Sequence, residues 1–157
     1  MVSEGITDPK LKRSLLDGQA SDDENSRNKA FLMGLHHFNY LAPSPKTTTY
    51  GKRWTPSIEQ SKLSFFQAVR NVDQIKDKMA KRQQFCDQHE IKYHPIIFEA
   101  SGYFFVAIGN QHYECDSSID ALDALLKIYD VLNIPFPAEC SKVLQLLQHI
   151  FFCSNSK

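Results

Sequence analysis

The sequence lacks the features that would direct a chain to a membrane, to a nucleotide or to a polyanion. No apolar run approaches the ~20 residues that a membrane-spanning helix requires. Lys plus Arg equals Asp plus Glu, with 18 of each, so no overall field attracts the chain to nucleic acid. Gly102 and Gly109 are isolated and form no phosphate-binding loop. We therefore expect a soluble protein that does not enter a membrane, with no evident small-molecule substrate and no cofactor.

Cysteine is scarce, and its spacing indicates no disulfide framework. The cysteines are Cys86, Cys115, Cys140 and Cys153, and no Cys-x2-Cys pair occurs among them. No apolar signal segment follows Met1, and a chain of 157 residues is long enough to form a core without disulfides. We expect reduced thiols, partly in the core, in an intracellular protein of the cytoplasm or the nucleus.

What the sequence does contain is a series of apolar runs that predicts a three-strand antiparallel meander. Residues 94–100 and 103–108 are rich in β-branched and aromatic residues, and Ser101 and Gly102 mark a turn between them. A second turn follows at 109–110, and 111–115 reads as a third, shorter strand. The first two runs are apolar on both faces, so helices should cover each side of the sheet.

Helical periodicity before the meander predicts one or two helices. Ser57 and Gln60 form a capping-box pattern, and Asn71 to Gln74 repeats it, which suggests a break and a restart. The apolar positions of the first piece are Ile58, Phe65, Phe66, Val69 and Val72, and those of the second are Val72, Ile75, Met79 and Phe85.

Two further helices are predicted after the meander. Ser117 and Ser118 should cap the first, and Asn133 and Pro135 should end it. Its apolar stripe is Ile119, Leu122, Leu125, Leu126, Tyr129 and Leu132. A last helix spans 138–152. The fold class we predict is α+β: N-terminal helices, a three-strand antiparallel meander, then two C-terminal helices packed on the sheet.

Composition divides the chain into three parts. Residues 1–53 are a polar N-terminal appendage with one amphipathic helix at about 28–41, followed by a loop across 46–53. Residues 54–153 form a compact α+β domain, and 154–157 are a tail.

The chain offers one basic cluster as a candidate nucleic-acid site. It consists of Lys76, Lys78, Lys81 and Arg82 on one predicted helix, and such clusters bind phosphates. Asp73, Asp77 and Asp87 alternate with these residues. A solvated helix face is therefore the simpler interpretation of this pattern, and a nucleic-acid site is the alternative.

Metal and catalytic sites have less support. Cys86, His89 and His94 are weak zinc candidates, because their spacing lacks the tight pairs typical of zinc sites. The simpler interpretation is a partly buried thiol beside two surface histidines. No nucleophile is spaced with a base, so we predict no metal and no enzymatic activity.

Scattered positions resemble a known domain. They are Trp54-Thr-Pro-Ser57, Ser64-Phe65, Pro95-Ile-Ile97, Tyr113, Val131-Leu-Asn-Ile-Pro-Phe-Pro137 and Leu147-Gln148. They resemble the uncharacterised C-terminal domain shared by animal sterile-alpha-motif-containing and transposon-derived proteins. The chain departs from that pattern at residues 99–102, where members often have a longer linker. The resemblance implies an intracellular accessory domain in gene regulation or mobile-element biology, and it carries over no catalytic residue.

The sequence thus favours a non-enzymatic protein-interaction or oligomerisation module. A small sheet leaves an edge strand whose backbone groups are available to a partner, and 18 aromatic residues exceed the needs of a small core. Two alternatives remain. One is a nucleic-acid-binding accessory domain that uses the face from Lys76 to Arg82, and the other is an enzyme of unrecognised type.

Overall fold

The computed structural model describes residues 56–153, two short strands at 47–49 and 52–54, and isolated helical positions at 27, 30 and 34. Most of the predicted helix at about 28–41 lies outside the described residues. The short strands β1 (Thr47–Thr49) and β2 (Lys52–Trp54) pair antiparallel. The expectation of a loop across 46–53 was therefore wrong, because consecutive β-branched threonines favour extended backbone. The domain boundary at 54 stays a prediction.

A four-stranded sheet with helices on both faces makes up the rest. Its elements in chain order are α1 (Ile58–Leu63), β3 (Phe66–Val69), α2 (Asp73–His89), β4 (Ile96–Ala100), β5 (Tyr103–Ile108), β6 (Gln111–Cys115), α3 (Ser118–Val131) and α4 (Ser141–Gln148), which a π-helical turn (His149–Cys153) extends. The strand order is β3-β4-β5-β6. The mixed α and β content is as predicted, but the sheet has four strands rather than three.

The additional strand is β3, in a segment predicted to be helical. Helix α1 ends at Leu63, and β3 then pairs parallel with β4, Phe66 lying opposite Ile97. The Ile97 N–H donates to the Phe65 carbonyl at 3.1 Å, next to this ladder. The short apolar run fits either a helix or a strand, and pairing with a distant strand decides between them. Helix α2 is consequently the crossover between two parallel strands.

Each face of the sheet has its own core. On one face Ile75 and Met79 of α2 pack with Phe98, Phe105 and neighbouring strand residues. On the other face α3 and α4 supply most of the partners of Ile97, Phe104 and Val106. The prediction that helices cover both faces is confirmed, and the two C-terminal helices share the second face.

The predicted capping contacts of Ser57, Asn71 and Ser117 are present. Ser57 and Gln60 form both bonds of the capping box, and the Asn71 side chain accepts from the Gln74 N–H at 3.3 Å. Ser117 caps α3 by accepting from the Asp120 N–H, and Asn133 beyond its end is left-handed, with φ 50°.

Two predictions for the C-terminal helices are wrong: the ends of the apolar stripe on α3 and the first residue of α4. Ile119, in the first turn of α3, and Leu132, directly after its last residue, are both exposed. Helix α4 begins at Ser141 rather than at 138, since Glu139 and Cys140 lie buried in the preceding turn.

The burial of Phe66 in β3 predicts that truncating its side chain destabilises the fold. Phe66 is buried between the sheet and the C-terminal helices, whereas Leu63, three residues earlier, is exposed. We expect Phe66→Ala to lower the free energy of unfolding by about 3–5 kcal/mol. Leu63→Ala should change it by less than about 1 kcal/mol. Urea denaturation followed by circular dichroism measures both, and equal losses would contradict the assignment of β3 to the sheet.

Candidate functional site

The basic helix of the sequence is α2, and the structure divides its candidate residues. Lys76, Lys78 and Lys81 are exposed. Arg82 is not part of that face, because its side chain is only 5% exposed and points into the protein. The predicted group of four basic residues is therefore corrected to three. Acidic side chains are also exposed on the same helix, at 73, 77 and 87.

Arg82 forms a buried ion pair with Glu139. Arg82 Nη1 donates to Glu139 Oε1 at 2.9 Å, and Nη2 donates to Oε2 at 2.5 Å. Glu139 is fully buried in the turn before α4. The guanidinium also lies 4.8 Å above the centre of the Phe85 ring. Its Nε–H is buried and has no acceptor within the part of the chain that the structure describes. The pair joins α2 to the C-terminal helices, which pack on the opposite face of the sheet.

The pKa values of the pair change for opposing reasons. Burial lowers the pKa of Arg82, but the hydrogen bonds and the charge of Glu139 outweigh burial and raise it overall. Burial raises the pKa of Glu139, and Arg82 opposes that rise. The raised pKa of Arg82 favours the ion pair, whereas the raised pKa of Glu139 opposes it. We assign the ionised pair, because two parallel N–H···O bonds are the geometry of a guanidinium with a carboxylate.

His94 is the third member of this buried network. Its Nε2 lies 3.3 Å from Arg82 Nη2, and its Nδ1 lies 3.1 Å from the Lys92 carbonyl oxygen. A guanidinium can only donate, so Nε2 accepts and the single proton is on Nδ1, which donates to the carbonyl. Burial, together with the charge of Arg82, lowers the pKa of His94 to about 4. The imidazole is therefore neutral at physiological pH, and it stacks with Tyr129 at 6.5 Å.

The three weak zinc candidates occupy different environments. Cys86 is buried, and burial raises its pKa to about 11, so it is a thiol at neutral pH. His89 is half-buried, with its Nδ1 3.0 Å from the Phe85 carbonyl oxygen. His94 was expected at the surface, but it is fully buried and its free lone pair accepts from Arg82. Among the described residues, no three His, Cys, Asp or Glu side chains form a group suited to a metal ion.

One cleft contains part of the basic cluster. It lies between α1, β3 and α2 and has a volume of about 160 Å³. Its lining residues are Gln60, Leu63, Gln67, Lys78, Lys81, Arg82 and Phe85. These described residues supply no carboxylate, thiol, hydroxyl or imidazole group, and their ionisable groups are the amines of Lys78 and Lys81 and the guanidinium of Arg82.

Strand β6 is one of the two edge strands of the four-stranded sheet. Across residues 56–153 β6 pairs only with β5, in five consecutive antiparallel positions. Gln111, Tyr113 and Glu114 are exposed, and Tyr113 is 58% exposed. His112 is half-buried with its ring at right angles to the Phe105 ring. The strand contains no proline and no lysine, which are residues that commonly protect sheet edges from pairing.

Sequence reasoning missed the Arg82–Glu139 pair, although a signal was present. The buried positions of α2 are Ile75, Met79, Arg82 and Cys86, spaced four, three and four residues apart. That spacing is one face of a helix, so Arg82 falls on the apolar stripe. A charged residue on such a stripe indicates a buried partner. The identity of that partner, 57 positions later, is a tertiary property.

Comparison of the chain with family models, with curated proteins and with solved structures finds no match in any of the three. Within the part of the chain that the structure describes, no helix combines the length and the apolar character needed to cross a bilayer. The function is therefore inferred from the geometry of the described residues.

The ion pair predicts strong coupling in a double-mutant cycle. Arg82→Met or Glu139→Leu alone strands a buried charge and should cost about 3–5 kcal/mol of unfolding free energy. The double variant should cost less than either single change, because no unpaired charge remains. The exposed pair Lys127–Asp123 on α3 is the matched control, and Lys127→Met with Asp123→Leu should show coupling below about 1 kcal/mol. Additive losses at 82 and 139 in urea denaturation would contradict the pairing.

The neutral state of His94 predicts an acid-sensitive fold. Folded His94 has a pKa of about 4, below the value of about 6.5 for an unfolded chain, so the unfolded state binds more protons between these values. This contribution to stability is fully present above pH 6.5 and is lost progressively as the pH decreases, and the loss reaches about 3 kcal/mol near pH 4.

The test is the difference in unfolding free energy between wild type and His94→Asn across this pH range. The asparagine amide can still donate to the Lys92 carbonyl but does not titrate. We expect the variant to lose less stability than the wild type on acidification, and His149→Asn, at an exposed position, to behave as the wild type. Parallel pH profiles of wild type and His94→Asn would show that His94 is not the group responsible.

Proposed function

We propose that this chain is a non-enzymatic oligomerisation module that self-associates through the outer edge of β6. The observation that carries the proposal is the edge itself. Strand β6 has five regularly paired residues, three of them exposed, and the backbone N–H and C=O groups of alternate residues point away from β5. Unpaired N–H and C=O groups in a row are a template for another strand, and natural proteins either protect such an edge or use it.

The residues of β6 support use rather than protection. Charged side chains, lysine above all, together with proline and bulges, are the usual means of blocking an edge, and Glu114 is the one charged side chain of β6. The strand has neither lysine nor proline and keeps an uninterrupted register with β5 from Gln111 to Cys115. Tyr113 adds a large exposed side chain, and tyrosine is enriched at protein interfaces because it combines an apolar ring with a polar tip.

The opposite edge of the sheet supports the proposal less well. Strand β3 has four residues, of which Phe66 and Gln67 are buried. Gln67 Nε2 also donates to the Leu63 carbonyl of α1 at 2.8 Å, which ties this edge to its own helix. A strand that paired with the outer edge of β3 would therefore have to accommodate this contact between Gln67 and α1.

Nucleic-acid binding through α2 receives less support. The exposed basic residues are reduced to Lys76, Lys78 and Lys81, with acidic residues between them, while the charge of Arg82 is neutralised inside the protein by Glu139. A role as an accessory domain in gene regulation or mobile-element biology rests on the sequence resemblance alone and is part of the proposal only in that sense.

The experiment compares two tyrosines of the same sheet. Tyr113 on the edge strand is 58% exposed, and Tyr103 on the internal strand β5 is 59% exposed. We expect the wild type to elute as a concentration-dependent dimer in size-exclusion chromatography with light scattering. Tyr113→Lys should raise the dimer dissociation constant at least about tenfold, because lysine on an edge opposes strand pairing. Tyr103→Lys should leave it unchanged.

Two outcomes would contradict self-association through β6. A strictly monomeric wild type at high micromolar concentration removes self-association altogether. A dimer that is weakened equally by both substitutions moves the interface away from β6. Circular dichroism of each variant establishes that the fold is retained.

A further inference from the structure

We propose that two copies of this chain pair their β6 strands antiparallel about a two-fold axis at Tyr113. The inference rests on the proposed function and adds the register of the contact. It follows from the five-residue sequence of the strand, Gln111-His-Tyr-Glu-Cys115, which is self-complementary when it is read against itself in the opposite direction.

The register follows from simple counting. With Tyr113 opposite Tyr113 of the second copy, His112 lies opposite Glu114 and Gln111 lies opposite Cys115, each twice. All five residues are then paired. A two-fold register centred on His112 or on Glu114 pairs only three residues of the strand with each other. The one centred on Glu114 also places that carboxylate opposite itself, and like charges in directly opposite positions are destabilising.

The register also keeps the two faces of the sheet continuous. His112 and Glu114 lie opposite Ala107 and Phe105 of β5, which belong to the face covered by α2. Tyr113 and Cys115 lie opposite Val106 and Phe104, on the face of α3 and α4. Pairing within each set therefore places equivalent faces of the two sheets side by side, as a two-fold axis perpendicular to the sheet requires.

His112 and Glu114 supply chemical complementarity. Glu114 is exposed, and within the described residues its carboxylate forms no ion pair. A neutral imidazole has one N–H and a charged imidazole has two, so His112 can donate to a carboxylate in either state. Directly opposite side chains on antiparallel strands have Cβ atoms about 4.5–5.5 Å apart, which is within reach of such a bond. The two-fold axis generates this contact twice.

Disulfide trapping tests the register. Gln111→Cys places a thiol opposite Cys115 of the second copy, where Cα atoms are about 4.5–5.5 Å apart, a separation that a disulfide spans. Within one chain the two positions are four residues apart on a strand, about 13 Å, too far to bridge. Oxidised glutathione, which takes up the two electrons, should convert this variant to a covalent dimer on non-reducing gels. Wild type should remain uncrosslinked, and so should Tyr103→Cys, whose new thiol lies at an exposed position of the internal strand β5, away from the contact.

A charge exchange gives an independent readout in solution. His112→Glu places a glutamate opposite Glu114 at both contacts and should raise the dimer dissociation constant about tenfold. Adding Glu114→His exchanges the two residues and restores an opposite pair at both contacts, so the double variant should recover to within about threefold of the wild type. The measurement is light scattering over a range of concentrations.

The outcomes separate this inference from the proposed function. A monomeric wild type overturns both. A dimer that Tyr113→Lys dissociates, but that neither forms the Gln111→Cys crosslink nor recovers on charge exchange, overturns the register and leaves association through β6 intact. Covalent dimers from Gln111→Cys but not from Tyr103→Cys, together with recovery in the double variant, support the Tyr113-centred pairing.

Discussion

The fold depends on two buried charges that must leave water together. Arg82 comes from the helix on one face of the sheet, and Glu139 comes from the turn that precedes the last helix. Removing either charge from water alone costs several kcal/mol, so the bidentate contact is favourable only when both segments are in place. His94, which accepts from the same guanidinium, extends this requirement to the segment that leads into β4. We infer that the network specifies this arrangement more than it adds net stability, because replacing a buried ion pair with well-packed apolar side chains is often neutral or stabilising.

The sequence predicted those parts of the fold that local chemistry determines. The bounds of β5 and β6 agree with the prediction because turns separate them, and the caps at Ser57 and Ser117 agree because each is a contact with a residue three positions away. Strand β3 and the Arg82–Glu139 pair were missed for one reason. Each depends on a partner distant in the chain, which neither periodicity nor spacing can name. Of the residues considered for sites, the surface lysines were placed correctly, whereas Arg82 and His94 were not.

The two edge strands of the sheet, β3 and β6, have different surroundings. Strand β3 is engaged by its own chain, because Gln67 donates to the Leu63 carbonyl of α1 and Phe66 packs in the core. At β6 the side chains are polar or aromatic and mostly exposed, and the backbone ladder is regular to its end. Among the described residues β6 pairs only with β5, and its polar side chains keep the outer edge compatible with water. That combination suits a reversible contact better than a permanent one.

The parallel pairing of β3 with β4 also has a consequence for the order of folding. The meander joins neighbours through two-residue turns, whereas Phe66 and Ile97 are separated by α2. Closing the longer loop costs more entropy, so we expect the meander to form first and β3 to dock after it. Until then the apolar strand β4 has an open edge on the side that faces away from β5. A chain arrested at this stage, or one lacking β3, would present its most aggregation-prone segment to other molecules. Docking of the four residues of β3 therefore closes this edge of β4 and protects the centre of the sheet.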